Sequence, residues 1–230
     1  MNKNPIFCAI DTVDITAARV LLARLAGRIG GVKLGLEFFA ANGAAGVRQV
    51  MAGNDLPLFL DLKLHDIPHT VAGAVRALLP LSPAYITVHA AGGLAMMQAA
   101  AQAAGGHCKL LAVTMLTSLI EQDLPGLGIL PGLSDQVARL GALARRAEID
   151  GLVCSAHELS TLRRTLGPAM TLAVPGIRAP GAAADDQRRV LSAAQAFAAG
   201  ADLLVIGRPI TTAADPAAAA TAILASLRTA

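Results

Sequence analysis

The chain has 230 residues, 54% of them hydrophobic and 15% charged, with 19 Lys+Arg against 16 Asp+Glu and a formal net charge of +3. A chain of this size and apolar content buries roughly 70–75% of its unfolded surface in one core, which excludes both a disulfide-stapled miniprotein and a disordered polyelectrolyte. The pI near 9.0 does not make a nucleic-acid binder, because the cations fall in isolated pairs such as Arg145-Arg146, Arg163-Arg164 and Arg188-Arg189 and only 3% of residues are aromatic.

The first seven residues hold one lysine and no apolar stretch of the secretory kind, so a cytoplasmic protein is expected. A β-rich run over 6–10 ends at Asp11 and leads into a helical pattern over 15–26. The second run, 31–36, carries Lys33. The third, 58–64, alternates in a way that sets Leu58, Leu60, Leu62 and Leu64 on one face and Phe59, Asp61, Lys63 and His65 on the other. Asp66 follows at its end, and a helical pattern covers 71–79. Buried charges are costly unless paired, so one reading of Asp61, Lys63 and Asp66 is a structural ion network; their place at the end of a strand favours a functional one.

The fourth run, 85–89, ends at His89, which reads as a hydrogen-bonded core histidine. The fifth, 109–114, is followed by Thr117 and Ser118, by a Pro/Gly-rich irregular segment over 120–134, and by a helical pattern over 135–147. Runs over 151–154, 170–174 and 203–206 complete a set of eight. Val174-Pro175-Gly176-Ile177-Arg178 follows the seventh, with an irregular stretch over 178–189 that reads as a lid, and Gly207-Arg208-Pro209 follows the eighth. The helical pattern over 216–228 belongs to an alanine-rich tail, 213–227, interrupted by Asp215 and Pro216 and short of the about 18 strongly apolar residues of a membrane span. Cys8, Cys108 and Cys154 lie in apolar runs and read as reduced core residues.

Eight strands alternating with helices, at about 29 residues per unit, predict a single compact (β/α)8 TIM barrel over 1–230. An open doubly wound sheet is the alternative, but no GxGxxG follows any predicted strand. In a barrel the loops after the strands carry the chemistry, so Asp11, Lys33, Asp61, Lys63, Asp66, His89, Thr117 and Ser118 converge on one mouth. The glycines after the seventh and eighth runs, with Arg178 or Arg208 as a bidentate clamp, point to a phosphorylated substrate, the alternative being two ordinary Gly/Pro turns with surface arginines.

Taken together these residues resemble the orotidine 5'-phosphate decarboxylase family over the whole chain. Asp61-Leu62-Lys63-Leu64-His65-Asp66-Ile67-Pro68 is similar to its DxKxxDIP signature, and Ala9-Ile10-Asp11, Val32-Lys33-Leu34-Gly35, Val113 to Ser118, Pro175-Gly176-Ile177-Arg178, Asp186-Gln187-Arg188-Arg189 and Ile206-Gly207-Arg208 follow its other landmarks in order. His69 stands where many members carry asparagine. The resemblance implies decarboxylation of orotidine 5'-phosphate to UMP with no cofactor and no metal, in a homodimer with shared sites and without nucleic-acid or membrane partners. Lys63 is then the proton donor, Asp61 lies beside the departing carboxylate, Lys33 pairs with Asp61 and the ribose, and Asp11 holds ribose hydroxyls. It further implies that Asp66 and Thr70 reach the neighbouring subunit's site. Thr117 and Ser118 would approach the base, Gln187 would tie the lid to phosphate and base, and Gly207 and Arg208 would clamp the phosphate with Arg178 nearby. Two rivals are a related Mg2+-dependent sugar-phosphate decarboxylase similar to 3-keto-gulonate-6-phosphate decarboxylase, disfavoured by the cation Lys33 near where those relatives place an acidic ligand, and a non-catalytic phosphate-ligand-binding barrel.

Overall fold

Strands buried on both faces read as short continuous apolar runs, and helices laid against them need only one apolar stripe. The computed structural model describes residues 4–178 and 191–228. Its strands are β1 (Ile6–Ala9), β2 (Gly31–Gly35), β3 (Leu58–Leu64), β4 (Tyr85–His89), β5 (Lys109–Val113), β6 (Gly151–Val153), β7 (Thr171–Val174) and β8 (Leu203–Ile206). The helices between and after them are α1 (Ile15–Arg24), α2 (Leu36–Met51), α3 (Pro68–Leu78), α4 (Gly93–Ala104), α5 (Leu133–Arg146), α6 (Leu159–Leu166), α7 (Ala193–Ala198), α8 (Arg208–Thr211) and α9 (Pro216–Ser226). Neighbouring strands pair in parallel in chain order, and β8 closes on β1 through Ile6↔Leu204, Phe7↔Val205 and Cys8↔Ile206. The expected (β/α)8 barrel is formed.

Several boundaries differ from the periodicity for local reasons. The helix expected over 71–79 starts at Pro68, whose fixed φ suits the first helical position. The run over 31–36 stops as a strand at Gly35 because Leu36 opens α2, a helix broken at Gly43, where φ is +56°. The segment 120–134 contains two single 3-10 turns, Glu121–Asp123 and Pro125–Leu127. The Glu121 carboxylate accepts from the N–H groups of Gly132 and Leu133 at 2.5 and 2.9 Å, which pins the segment to the start of α5. Asp14 caps α1, accepting from Thr16 and Ala17 N–H at 2.7 and 3.0 Å, a contact whose loss costs about 1 kcal/mol. Among the described residues no helix is long and apolar enough to cross a membrane.

Two apolar cores follow from the two faces of each strand. The larger, between barrel and helices, takes Ile6, Cys8, Leu34, Leu60, Ile86 and Leu110 from the outward faces and Leu22, Phe38, Val75 and Met97 from the helices. The smaller fills the barrel interior with Phe7, Ala9, Phe59, Leu111, Ala173, Leu203 and Val205. Phe7 meets Phe59 and Tyr85 edge-on with ring centroids 6.2 and 5.6 Å apart, and Phe59 lies 5.8 Å from Tyr85. These rings plug the floor, so the open volume is confined to the other end. The three cysteines are free and buried, as expected. Burial, with Asp11 next, pushes the Cys8 thiol up to about 12 and, with Asp150, that of Cys108 to about 11, which keeps both protonated and inert.

At the N-terminal end of the strands, Arg163 ties α6 to the β7–β8 connection. Its guanidinium donates to Gly200 O at 2.9 and 2.6 Å, to Met170 O at 2.7 Å and to the Asp202 carboxylate, which also accepts from Leu172 N–H at 2.7 Å. Arg163→Met removes the donors while keeping the stem. It is expected to cost about 2 kcal/mol, read as a fall in Tm of roughly 4–8 °C; an unchanged Tm would show the clamp to be idle.

Candidate active site

The C-terminal ends of the strands surround a cavity of about 650 Å³ lined by Asp11, Lys33, Asp61, Lys63, Thr117, Ser118, Arg178, Gly207 and Arg208, with Phe59, Val113, Met115 and Val205 among its apolar walls. Nine of the residues singled out in the sequence thus share one wall system, although they come from β2, β3 and the segments after β1, β5, β7 and β8. The reason is topological, since the inward positions at the ends of parallel strands in a closed barrel point to a single mouth.

Within it the charges alternate. Lys33, 9% exposed, sets its Nζ 3.1 Å from Asp11 Oδ1 and 3.7 Å from Asp61 Oδ2, and Lys63 Nζ lies 2.9 Å from the same Asp61 Oδ2. Two ammonium groups and two carboxylates sum to zero, which makes the partly buried cluster tolerable, whereas removal of any member strands a partner. Arg178, Gly207 and Arg208 supply the rim after β7 and β8.

The third strand departs from simple alternation. Leu60 pairs with Ile86 and Leu64 with Val88, so three β3 residues lie between pairings separated by one β4 residue, Thr87. Lys63 takes up the excess with φ +50°, left-handed backbone that costs a residue with a Cβ about 1–2 kcal/mol. Phe59, Asp61 and Lys63 face the cavity as expected, but His65 does not. The irregularity turns it away to stack on His89, ring centroids 5.2 Å apart. Nor is His89 the hydrogen-bonded core histidine expected: its Nδ1 is buried with no hydrogen-bond partner among the described residues.

Burial, the His65 ring and the Lys63 ammonium all lower the His89 pKa from the ordinary 6.5, and Asp61 opposes them least. The unfolded chain therefore takes up this proton at higher pH than the folded chain. Neutral His89 contributes its full stability above about pH 6.5, and that contribution is lost as the pH falls below it. His89→Phe, which keeps a flat ring and has no proton to gain, is expected to show a smaller drop in Tm between about pH 7 and pH 5 than the parent. Equal drops would place the acid sensitivity elsewhere.

Asp66 and Thr70 are exposed and stand outside the cavity lining. Asp66 Oδ1 accepts from the Ile67 N–H at 2.6 Å, and Ile67 itself is 66% exposed. Gln187 and most of the segment 178–189 lie outside the described residues. Thr87, fully buried on β4, is the site residue that the sequence did not single out: its Oγ1 accepts from the Lys63 N–H at 2.8 Å and donates to Asp61 Oδ1 at 3.0 Å. A lone threonine in an apolar strand looks like an ordinary β-former, and nothing in the periodicity sets it apart.

A closed (β/α)8 barrel with paired ammonium and carboxylate groups at its C-terminal mouth and an arginine-bearing rim beside them is the architecture of a barrel enzyme. Residues 4–223 match the Orotidine 5'-phosphate decarboxylase / HUMPS family. The chain is 54% identical over 228 residues to the orotidine 5'-phosphate decarboxylase of Rhodospirillum rubrum, covering 96% of this chain and 92% of that protein. It is 50% identical over 224 residues to that of Sphingopyxis alaskensis, covering 97% and 99%. The crystal structure of orotidine 5'-phosphate decarboxylase from Lactobacillus acidophilus superposes with a TM-score of 0.85 at 32% identity over 97% of this chain and 99% of that one. The chain belongs to this family and is a decarboxylase, an enzyme of pyrimidine nucleotide synthesis.

Proposed function

We propose that the cavity takes orotidine 5'-phosphate and converts it to UMP and CO2 with Lys63 as the proton donor. The observation that carries this reading is the Lys63 ammonium held 2.9 Å from Asp61 at the mouth. When the bond from the pyrimidine ring to its carboxylate breaks, the electron pair stays on a ring carbon that has no adjacent carbonyl to accept it. A fixed ammonium group beside that carbon stabilises the growing charge, then gives it a proton and is recharged from solvent.

The remaining roles follow the charge pattern. Asp61 lies beside the departing carboxylate, Lys33 bridges Asp61 to the ribose, and Asp11 accepts from ribose hydroxyls. Thr117 and Ser118 approach the base. The Gly207 backbone and Arg208 bind the phosphate, with Arg178 in the same region, and Gln187, which lies outside the described residues, is assigned to the phosphate and base. Binding energy gained at the phosphate then supports a step at a distant carbon. We assign no metal or other cofactor to the site: a divalent cation bound by Asp11 and Asp61 would face the Lys33 ammonium, which lies 3.1 and 3.7 Å from their carboxylates. We place the enzyme in the cytoplasm, with no nucleic-acid partner.

Two sites are shared across a homodimer in this reading, with Asp66 and Thr70 completing the partner's cavity. The support is their exposure beside the protruding apolar Ile67. Mixing equal amounts of Lys63→Ala and Asp66→Ala chains is expected to restore up to about a quarter of wild-type turnover, because about half of the dimers become hybrids and each hybrid of twofold symmetry has one site with both native residues. No recovery after verified subunit exchange would refute the shared site.

The function itself is tested by loss of the ultraviolet band of orotidine 5'-phosphate on adding the protein, with and without EDTA. Rapid conversion that EDTA leaves untouched is expected. No turnover by folded protein would overturn the reading, and turnover abolished by EDTA and restored by Mg2+ would reassign the site to metal-dependent chemistry.

A further inference from the structure

We propose that Thr87 is a positioning residue for the decarboxylation: one buried hydroxyl sets both the backbone of Lys63 and the carboxylate plane of Asp61. The inference rests on the reading of Lys63 and Asp61 given above.

Donor and acceptor chemistry leaves little choice of direction. The Lys63 N–H can only donate, so Thr87 Oγ1 accepts it at 2.8 Å, and the hydroxyl proton goes to Asp61 Oδ1 at 3.0 Å. That contact holds one carboxylate oxygen of Asp61 and leaves the other, Oδ2, to face Lys63 Nζ at 2.9 Å and Lys33 Nζ at 3.7 Å. Without it Asp61 is held through Oδ2 by the two lysines alone, and its plane is no longer fixed by a neutral donor on Oδ1.

The backbone half of the contact is equally specific. Thr87 is the one β4 residue opposite the three β3 residues between Leu60 and Leu64. Lys63 is held there at φ +50°, and its N–H, unable to join a regular ladder, finds the Thr87 side chain instead. The residue is completely buried, so water cannot replace it. A misplacement of about 1 Å at a reacting group can cost on the order of a hundredfold in rate even when the change lies outside the chemistry.

The test compares Thr87→Val, which keeps the shape and loses both hydrogen bonds, with Thr87→Ser, which keeps the hydroxyl. Folding is checked by circular dichroism and Tm, and kcat and KM are measured for orotidine 5'-phosphate across pH. Thr87→Val is expected to lose about a hundredfold in kcat with KM changed by less than about threefold and an altered pH profile, whereas Thr87→Ser stays within about fivefold of wild type. Wild-type kcat in Thr87→Val, a loss confined to KM, or equal losses in both variants would overturn the proposal. Should Thr87→Val fail to fold, Thr87→Ala against Thr87→Ser reads the same comparison. Lys63→Ala run alongside separates the two levels. An active Lys63→Ala overturns the reading of the site and this inference with it; an inert Lys63→Ala beside a fully active Thr87→Val overturns only the role of Thr87.

Discussion

Lys63→Ala is expected to lower kcat for orotidine 5'-phosphate by about ten-thousandfold or more, equivalent to about 5.5 kcal/mol of barrier. Two losses combine in one substitution. A positioned proton donor contributes typically about 10²–10⁴-fold, and a fixed charge beside a developing anion is worth a further factor of on the order of 10²–10³. The two overlap because one ammonium group performs both. Removal also leaves Asp61 Oδ2 paired with Lys33, 3.7 Å away, so the place vacated by Lys63 becomes more negative, which in the proposed mechanism is where the substrate's carboxylate departs. Lys63→Arg is expected to rescue little, since a guanidinium stays protonated and has a different shape. The measurement is initial rate by ultraviolet absorbance together with UMP binding, which the Ala variant should retain because Gly207 and Arg208 are untouched. A kcat within tenfold of wild type would remove Lys63 from the chemistry.

A large expected loss of stability lies far from that lysine, at Gly151 on β6. A Cβ there would sit 2.2 Å from Thr171 O and 2.8 Å from Leu111 Cδ2. The first of these is a backbone atom of β7, paired with Gly151 in register, so it cannot swing aside as a side chain would. Gly151→Ala must therefore force β6 away from β7 within a closed barrel, and overpacking of this kind costs about 3 kcal/mol. Thermal unfolding followed by circular dichroism is expected to show a Tm lower by roughly 6–12 °C. Gly126→Ala, where a Cβ meets nothing within 4 Å, is the matched control and should leave Tm unchanged. Equal behaviour of the two variants would show that the barrel yields more readily than its contacts imply.

The eight strands and their order were legible because each is a short apolar run between polar turns, and chain order is also spatial order in this topology. The convergence of Asp11, Lys33, Asp61, Lys63, Thr117, Ser118, Arg178, Gly207 and Arg208 on one cavity was legible for a related reason: each is a polar residue or a glycine within or shortly after an apolar strand, and closure brings those positions together. Periodicity is silent about pairing between strands. The excess of β3 over β4 is a property of two segments at once, so neither the left-handed Lys63, nor the turning away of His65, nor the bridging by Thr87 could be read from either segment alone. The same holds for His89, whose strand position was right and whose hydrogen bonding was not.

Closure of β8 on β1 also dictates when the chain can finish folding. Cys8 pairs with Ile206, so the first of the eight strands waits for the eighth. Until then β1 presents an open row of N–H and C=O groups, an invitation to foreign strands. The entropic cost of joining such distant partners grows only slowly with the length between them, so delay is the greater hazard. Chains that have not reached Leu203 would expose both edges of an unclosed sheet, the kind of surface that makes partly folded chains prone to aggregate.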